Sequence, residues 1–139
     1  MDYQTLKNYS FPTPILFGAG AIKQVSTDLK ALKVTTPFIV TDKGMVDLPI
    51  VKSFVEELTQ GGLKPVLFSD MQKNPVKTDV SKGAKAYQSS KADGIIGFGG
   101  GVSMDVARAV ALHVNHPQDL FHFEDGTGNE KDVVNPIPP

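Results

Sequence analysis

Four short apolar runs, each handing over to a segment of helical period, constrain this chain more than anything else in it. TPILFG (Thr13 to Gly18) reads as a strand closing on a glycine turn, and Ile22, Val25, Leu29 and Leu32 then recur at helical spacing. PFIVTD (Pro37 to Asp42) is a β-branched strand, and Pro49 can open the helix whose apolar face is Ile50, Val51, Phe54 and Leu58. QGG ends that helix, and KPVLFSD (Lys64 to Asp70) follows as an inner strand. After the NPVKTDV loop, Val80, Ala84 and Tyr87 mark one side of a third helix. DGIIGFG is the last strand, and Ala107, Val110, Ala111 and Val114 stripe the closing helix. Strands alternating with helices imply β-α-β units and a parallel sheet, so the expected fold class is α/β. GIIGF carries no polar alternation, as a strand covered on both faces requires.

Ligands of such sheets bind outside the carboxyl ends of the strands. Asp42, Asp70 and Gly101 close three of the runs and fall on that one edge. Gly99, Gly100 and Gly101 bring the backbone of this edge within reach of a ligand, because no Cβ intervenes. A helix starting just after them, from about Ser103, points unpaired N–H groups and a partial positive charge at the turn. A phosphate or pyrophosphate is held there without a cationic side chain, and Ser103 adds a hydroxyl donor. A tight strand-to-helix turn with no ligand is the plain alternative.

The usual dinucleotide fingerprint is not met. FGAGAIK puts Lys23 where the third glycine belongs, although Asp42 follows Gly20 by 22 residues, near the expected acidic position about 20 residues on. GFGGGV puts Val102 there instead. A dinucleotide site of another design remains open. Asp42 can accept hydrogen bonds from ribose hydroxyls and would repel a 2′-phosphate; it can equally cap the turn before KG.

Composition removes other classes. At 139 residues the chain can bury a core, and one domain is expected. A formal net charge of -1 argues against a nucleic-acid surface. With no cysteine there is no disulfide framework and no thiolate metal site. MDYQTLKNYS has no signal pattern, and no apolar run approaches the ~20 residues that span a bilayer. A cytoplasmic protein without membrane partners is expected. The closing NPIPP suits a junction between elements, which implies a longer parent chain.

The stretches FPTPILFGAGA, PFIVTDKG, FSDMQKNPV, ADGIIGFGGGVSMDVARAVAL and DLFHFEDG, in this order, resemble the iron-containing (group III) alcohol dehydrogenase family over nearly the whole chain. The family's glycine motif is three glycines, Ser, two variable residues, Asp, one variable residue, Ala and Lys; here it reads GGGVSMDVAR. The resemblance implies a Rossmann-like NAD(P)-binding domain like the N-terminal half of dehydroquinate synthase. A helical metal domain follows in the family and is absent from residues 1–139, as is a threonine-rich cofactor segment.

By the same resemblance Asp42 matches the ribose aspartate, Asn74 an asparagine near the adenosine, and Gly99, Gly100 and Gly101 the pyrophosphate turn. Val102 replaces the usual Ser, Ser103 stands one residue on, Arg108 replaces Lys, and Asp105 matches the motif aspartate. Asp105 and Arg108 also form an ordinary i,i+3 ion pair. His113, His116 and His122 do not have the convergence of a metal site.

The expected function is the cofactor-binding portion of a metal-dependent alcohol dehydrogenase. Its cofactor is NAD rather than NADP, its substrate a small alcohol or aldehyde, and a homo-oligomer is compatible. Iron or another divalent metal belongs to the full-length parent, so the isolated chain is expected to hold no catalytic residue and no metal and to be inactive. A stand-alone nucleotide-binding module or non-catalytic remnant is the alternative. Glycerol dehydrogenase and dehydroquinate synthase relatives fit FSD…KNPV and DLFHFEDG less well.

Overall fold

The computed structural model describes residues 13–124 and 126–139; the MDYQTLKNYS segment and Asp125 of the DLFHFEDG stretch lie outside them. In chain order the elements are α1 (Val25–Ala31), β1 (Pro37–Val40), α2 (Pro49–Gln60), β2 (Val66–Phe68), α3 (Lys77–Ser90), β3 (Gly94–Gly97) and α4 (Gly101–Asn115), with short 3-10 turns at Ala21–Gln24, Leu120–Phe123 and Glu130–Asp132. The three strands form one parallel sheet in the order β2-β1-β3, with Phe38 opposite Val66 on one side and Ile95 on the other. The α/β fold class read from the sequence is the one observed.

Every residue of β1 is buried, and its side chains alternate between two cores, as strand geometry requires. Phe38 and Val40 face Phe68, Val80, Tyr87, Val106 and Val110, so α3 and α4 cover that side. Ile39 faces Leu29, Phe54 and Leu58, so α1 and α2 cover the other. Pro49 stands at the start of α2, where its missing N–H is no loss. Val51, Phe54 and Leu58 are buried as the spacing requires, whereas Ile50 is exposed because it lies off that stripe.

Two readings need correction. Thr13–Phe17 forms no strand among the described residues. β propensity makes a strand only where a neighbour can take up the backbone hydrogen bonds, and here Ile15 and Phe17 are 88% and 98% exposed. β2 is an edge strand rather than an inner one in the described sheet, so Leu67 stays exposed.

At the amino ends of the strands, Asp93 ties β3 to the approach to β1. Its carboxylate accepts from the Thr35 and Thr36 amides at 2.7–3.0 Å and from the Thr35 hydroxyl at 2.7 Å. Partial burial pushes this carboxyl up, but the bonds from Thr35 and Thr36 outweigh it and hold it below the ordinary 3.8. A carboxyl lowered on folding stabilises the fold above its unfolded value and loses that contribution as pH falls through its folded value. Asp93→Asn should therefore cost about 1 kcal/mol at neutral pH, given its partial exposure. The gap to wild type should narrow below pH about 4. Urea melts across pH check this; a gap independent of pH would remove the charge from the explanation. Asp70 and Asp119, also held below 3.8 by lysine contacts, are common to both proteins and cancel in the difference.

Candidate nucleotide site at the strand carboxyl ends

The chain leaves β1 toward α2 on one face of the sheet and leaves β3 toward α4 on the other. β1 and β3 are neighbours. The loops after them therefore diverge and open a crevice at their carboxyl ends, the switch point at which open α/β sheets bind ligands. The Asp42 turn follows β1 and the glycine turn follows β3 at that edge.

Asp42 is half-buried, and its Oδ1 accepts from the backbone amides of Gly44 (2.9 Å) and Met45 (3.1 Å). That turn brings Met45 toward the glycines: a Cβ on Gly99 would lie 3.1 Å from Met45 Sδ and 2.8 Å from Ser103 Oγ. Gly99 also has φ +143°, a conformation other residues rarely adopt. Its own surroundings thus account for glycine at this position. Gly97 is fixed by packing in the same way, since a Cβ there would lie 2.9 Å from Met104 Cα.

Gly100 and Gly101 differ. Both are exposed, and a Cβ on either would meet nothing within 4 Å. Gly100 has φ -79°, open to any residue. Nothing in the described protein requires glycine at these two positions. They head α4, which starts two residues earlier than the sequence pattern gives. It has no side-chain cap, and its first backbone bond runs from Met104 N–H to Gly100 O. The amides of Gly101, Val102 and Ser103 precede that bond and point out of the helix end unpaired. Open glycines and uncapped amides at a switch point suit an oxyanion group close to the backbone.

With α4 starting at Gly101, Ser103 falls on the stripe of Val106, Ala107 and Val110 and is fully buried beneath the turn. Its hydroxyl has no hydrogen-bond partner among the described residues, nor has that of Thr41, buried at the end of β1. Ser103 faces the inside of the turn against Gly99, while Val102 is the α4 residue that lines the cleft.

The cleft in front of Asp42 has a volume of about 670 Å³ and is lined by Asp42, Lys43, Gly44, Met71, Gln72, Lys73 and Val102. Buried Asp79, in the first turn of α3, holds the loop that supplies its far wall; its Oδ2 accepts from the amides of Val76 (3.0 Å) and Gln72 (3.4 Å). Asn74 is exposed on that loop, one residue beyond the cleft lining.

Asp105 is not brought to the cleft. It lines a separate groove between α3 and α4 with Pro75, Val76 and Phe121, and it pairs with Arg108 at 3.5 Å on the surface. The lining residues Met71, Gln72 and Lys73 escaped the sequence reading because they belong to a loop with no period. The strand end at Asp70 and the FSDMQKNPV stretch pointed to this loop without singling them out.

Two of the three histidines are occupied otherwise, and the third, His113, has its Nδ1 buried without a hydrogen-bond partner among the described residues. His116 is fully buried; its Nε2 accepts from the Asn135 amide (3.1 Å), which leaves Nδ1–H to donate to the Leu112 carbonyl (2.9 Å). His122 Nε2 lies 2.7 Å from Asp132. Among the described residues no three His, Cys, Asp or Glu side chains converge as a metal site, and no helix is long and apolar enough to cross a membrane.

Known proteins share the sequence pattern and the fold. Residues 12–139 match the family model "iron-containing alcohol dehydrogenase". The chain is 32% identical over 136 residues to choline dehydrogenase of Bacillus subtilis (strain 168), covering 98% of this chain and 34% of that protein. The crystal structure of a 1,3-propanediol oxidoreductase superposes with a TM-score of 0.86 at 26% identity, over 97% of this chain and 34% of that one. Sulfoacetaldehyde reductase from Bifidobacterium kashiwanohense, solved in complex with NAD+, superposes with a TM-score of 0.72 at 26% identity, over 79% and 29%. The chain spans about a third of the length of these relatives. With a family model matched along nearly all of its length, on the fold and glycine turn described above, the chain belongs to the iron-containing alcohol dehydrogenase family.

Proposed function

We propose that residues 1–139 are the NAD-binding α/β domain of a metal-dependent alcohol dehydrogenase, with the metal-binding helical domain outside this chain. The observation that carries the reading is the pair Gly100 and Gly101, exposed at the uncapped start of α4 with nothing within 4 Å of where a Cβ would stand. The cofactor's pyrophosphate would lie against the amides of Gly101 and Val102, held by backbone donors and the helix end. Asp42, with Oδ1 engaged by its own turn, has Oδ2 left for the ribose hydroxyls. The buried Ser103 hydroxyl supports the underside of the turn, and Asn74 stands at the rim for the adenosine half. NAD would supply the hydride chemistry of alcohol oxidation and aldehyde reduction, and this chain would position it, with substrate and metal left to the rest of the parent. A relative solved with NAD+ supports the choice of cofactor.

Asp42 also gives a preference. Its negative charge opposes a 2′-phosphate, so NADH should bind several-fold more tightly than NADPH. Asp42→Asn keeps an acceptor for the Gly44 and Met45 amides and removes only the charge, and should bring the two affinities together. Titrating both cofactors against both proteins checks this. Tighter binding of NADPH than NADH by the wild type would reject the role given to Asp42.

A further inference from the structure

Asp42 shares the lining of its cleft with two lysines, Lys43 and Lys73, and they are not equivalent. Lys43 Nζ lies 3.5 Å from Asp70, which also holds Lys82 at 3.2 Å. The hydrogen bond and charge of Lys82, and then those of Lys43, keep the Asp70 carboxyl below its ordinary range. Lys43 is thus already opposed by a carboxylate. Lys73 is exposed and has no ion pair among the described residues. Asp79 pins the loop that carries it at Gln72 and Val76, so its backbone is held at the cleft wall. The cleft is therefore lined by one aspartate with one carboxylate oxygen committed and by one lysine without a counter-charge among the described residues.

Resting on the dinucleotide reading above, we propose that Lys73 is a second specificity-determining residue. It opposes Asp42, so the choice between a plain and a phosphorylated ribose is set by the balance of the two side chains. The physics is a difference of charge. A 2′-phosphate carries about -1.5 to -2 near neutral pH, as other phosphate monoesters do. It gains from an ammonium and loses to a carboxylate in the same exposed setting. A ribose with a free 2′-hydroxyl responds to neither charge in this way. NADH and NADPH differ only by that phosphate, so the ratio of their affinities isolates it from the pyrophosphate common to both.

The test is calorimetric titration of NADH and NADPH against wild type, Lys73→Gln, Asp42→Asn and the double variant, with thermal melts to confirm folding. Lys73→Gln should weaken NADPH relative to NADH by about three- to tenfold, within the range of exposed ion pairs. Asp42→Asn should shift the ratio the opposite way by a similar factor, and the double variant should fall between the two single variants. Equal changes in both cofactors, or none, in Lys73→Gln would overturn this inference and leave the dinucleotide site standing. If neither cofactor binds any of the four proteins, the dinucleotide reading falls, and the role of Lys73 with it.

Discussion

Gly100→Val is expected to weaken NADH binding tenfold or more while leaving the melting temperature close to wild type. A Cβ at this position meets no protein atom, and the φ of -79° and ψ of -172° suit a β-branched residue. The stability cost is then no more than the modest loss of a favourable helix N-cap residue. The same branched side chain would stand where a phosphate approaches the amides of Gly101 and Val102. Hydrogen bonds to a charged group contribute about 1.5–3 kcal/mol each, so losing one is worth about tenfold in affinity. Gly97→Val supplies the contrast: its Cβ would lie 2.9 Å from the backbone of Met104, and it should lower stability first. Calorimetric titration and thermal melts of the two variants decide the matter. A Gly100→Val protein that melts early yet binds NADH like wild type would mark the turn as purely structural.

Phe38→Ala should be the most damaging single truncation of the core. The ring is fully buried in the central strand, stacked on Phe68 at 5.5 Å and edge-on to Tyr87 at 5.7 Å. Removing a buried Phe costs about 3–5 kcal/mol once the cavity is included. Against a typical domain stability of about 5–15 kcal/mol, the variant stands close to unfolding at room temperature. Urea denaturation should show a much lower midpoint with an unchanged slope. A loss below about 1 kcal/mol would mean that α3 and α4 repack onto β1 far more freely than their close contact at Gly83 suggests, where a Cβ would lie 2.7 Å from Val110.

The layered fold was legible because its signals are local. Val51, Phe54 and Leu58 on α2, Val80, Ala84 and Tyr87 on α3, and Ala107, Val110 and Ala111 on α4 recur at the helical period and are all buried. TPILF has strand composition too, but being a strand depends on a partner elsewhere in space, which composition does not contain. The glycine turn could be located from its sequence, whereas the division of labour among its glycines could not. Gly99 answers to Met45, a residue 54 positions earlier, and Gly97 to the helix that follows. Asp105 entered as a site residue through its motif; with Val106, Ala107 and Val110 of α4 turned to the core, it lies at a different groove beside Arg108. The earlier start at Gly101 puts Ser103 on the same buried stripe, which a helix start two residues later hides. Lys43, Lys73 and the Asp70 contact come from loops meeting across the sheet edge, where no periodicity exists to be read.

The Asp42 turn has an entropic consequence. A carboxylate waiting for a ligand on a free side chain must be ordered when the ligand arrives, at about 0.5–1.5 kcal/mol for an immobilised side chain. Asp42 is ordered in advance, because Gly44 and Met45 hold one of its oxygens from within the same short loop. The free oxygen is aimed by bonds that folding has already made. On the dinucleotide reading proposed above, the fold bears the cost of rigidity once, and cofactor binding would begin from a side chain with little freedom left to lose.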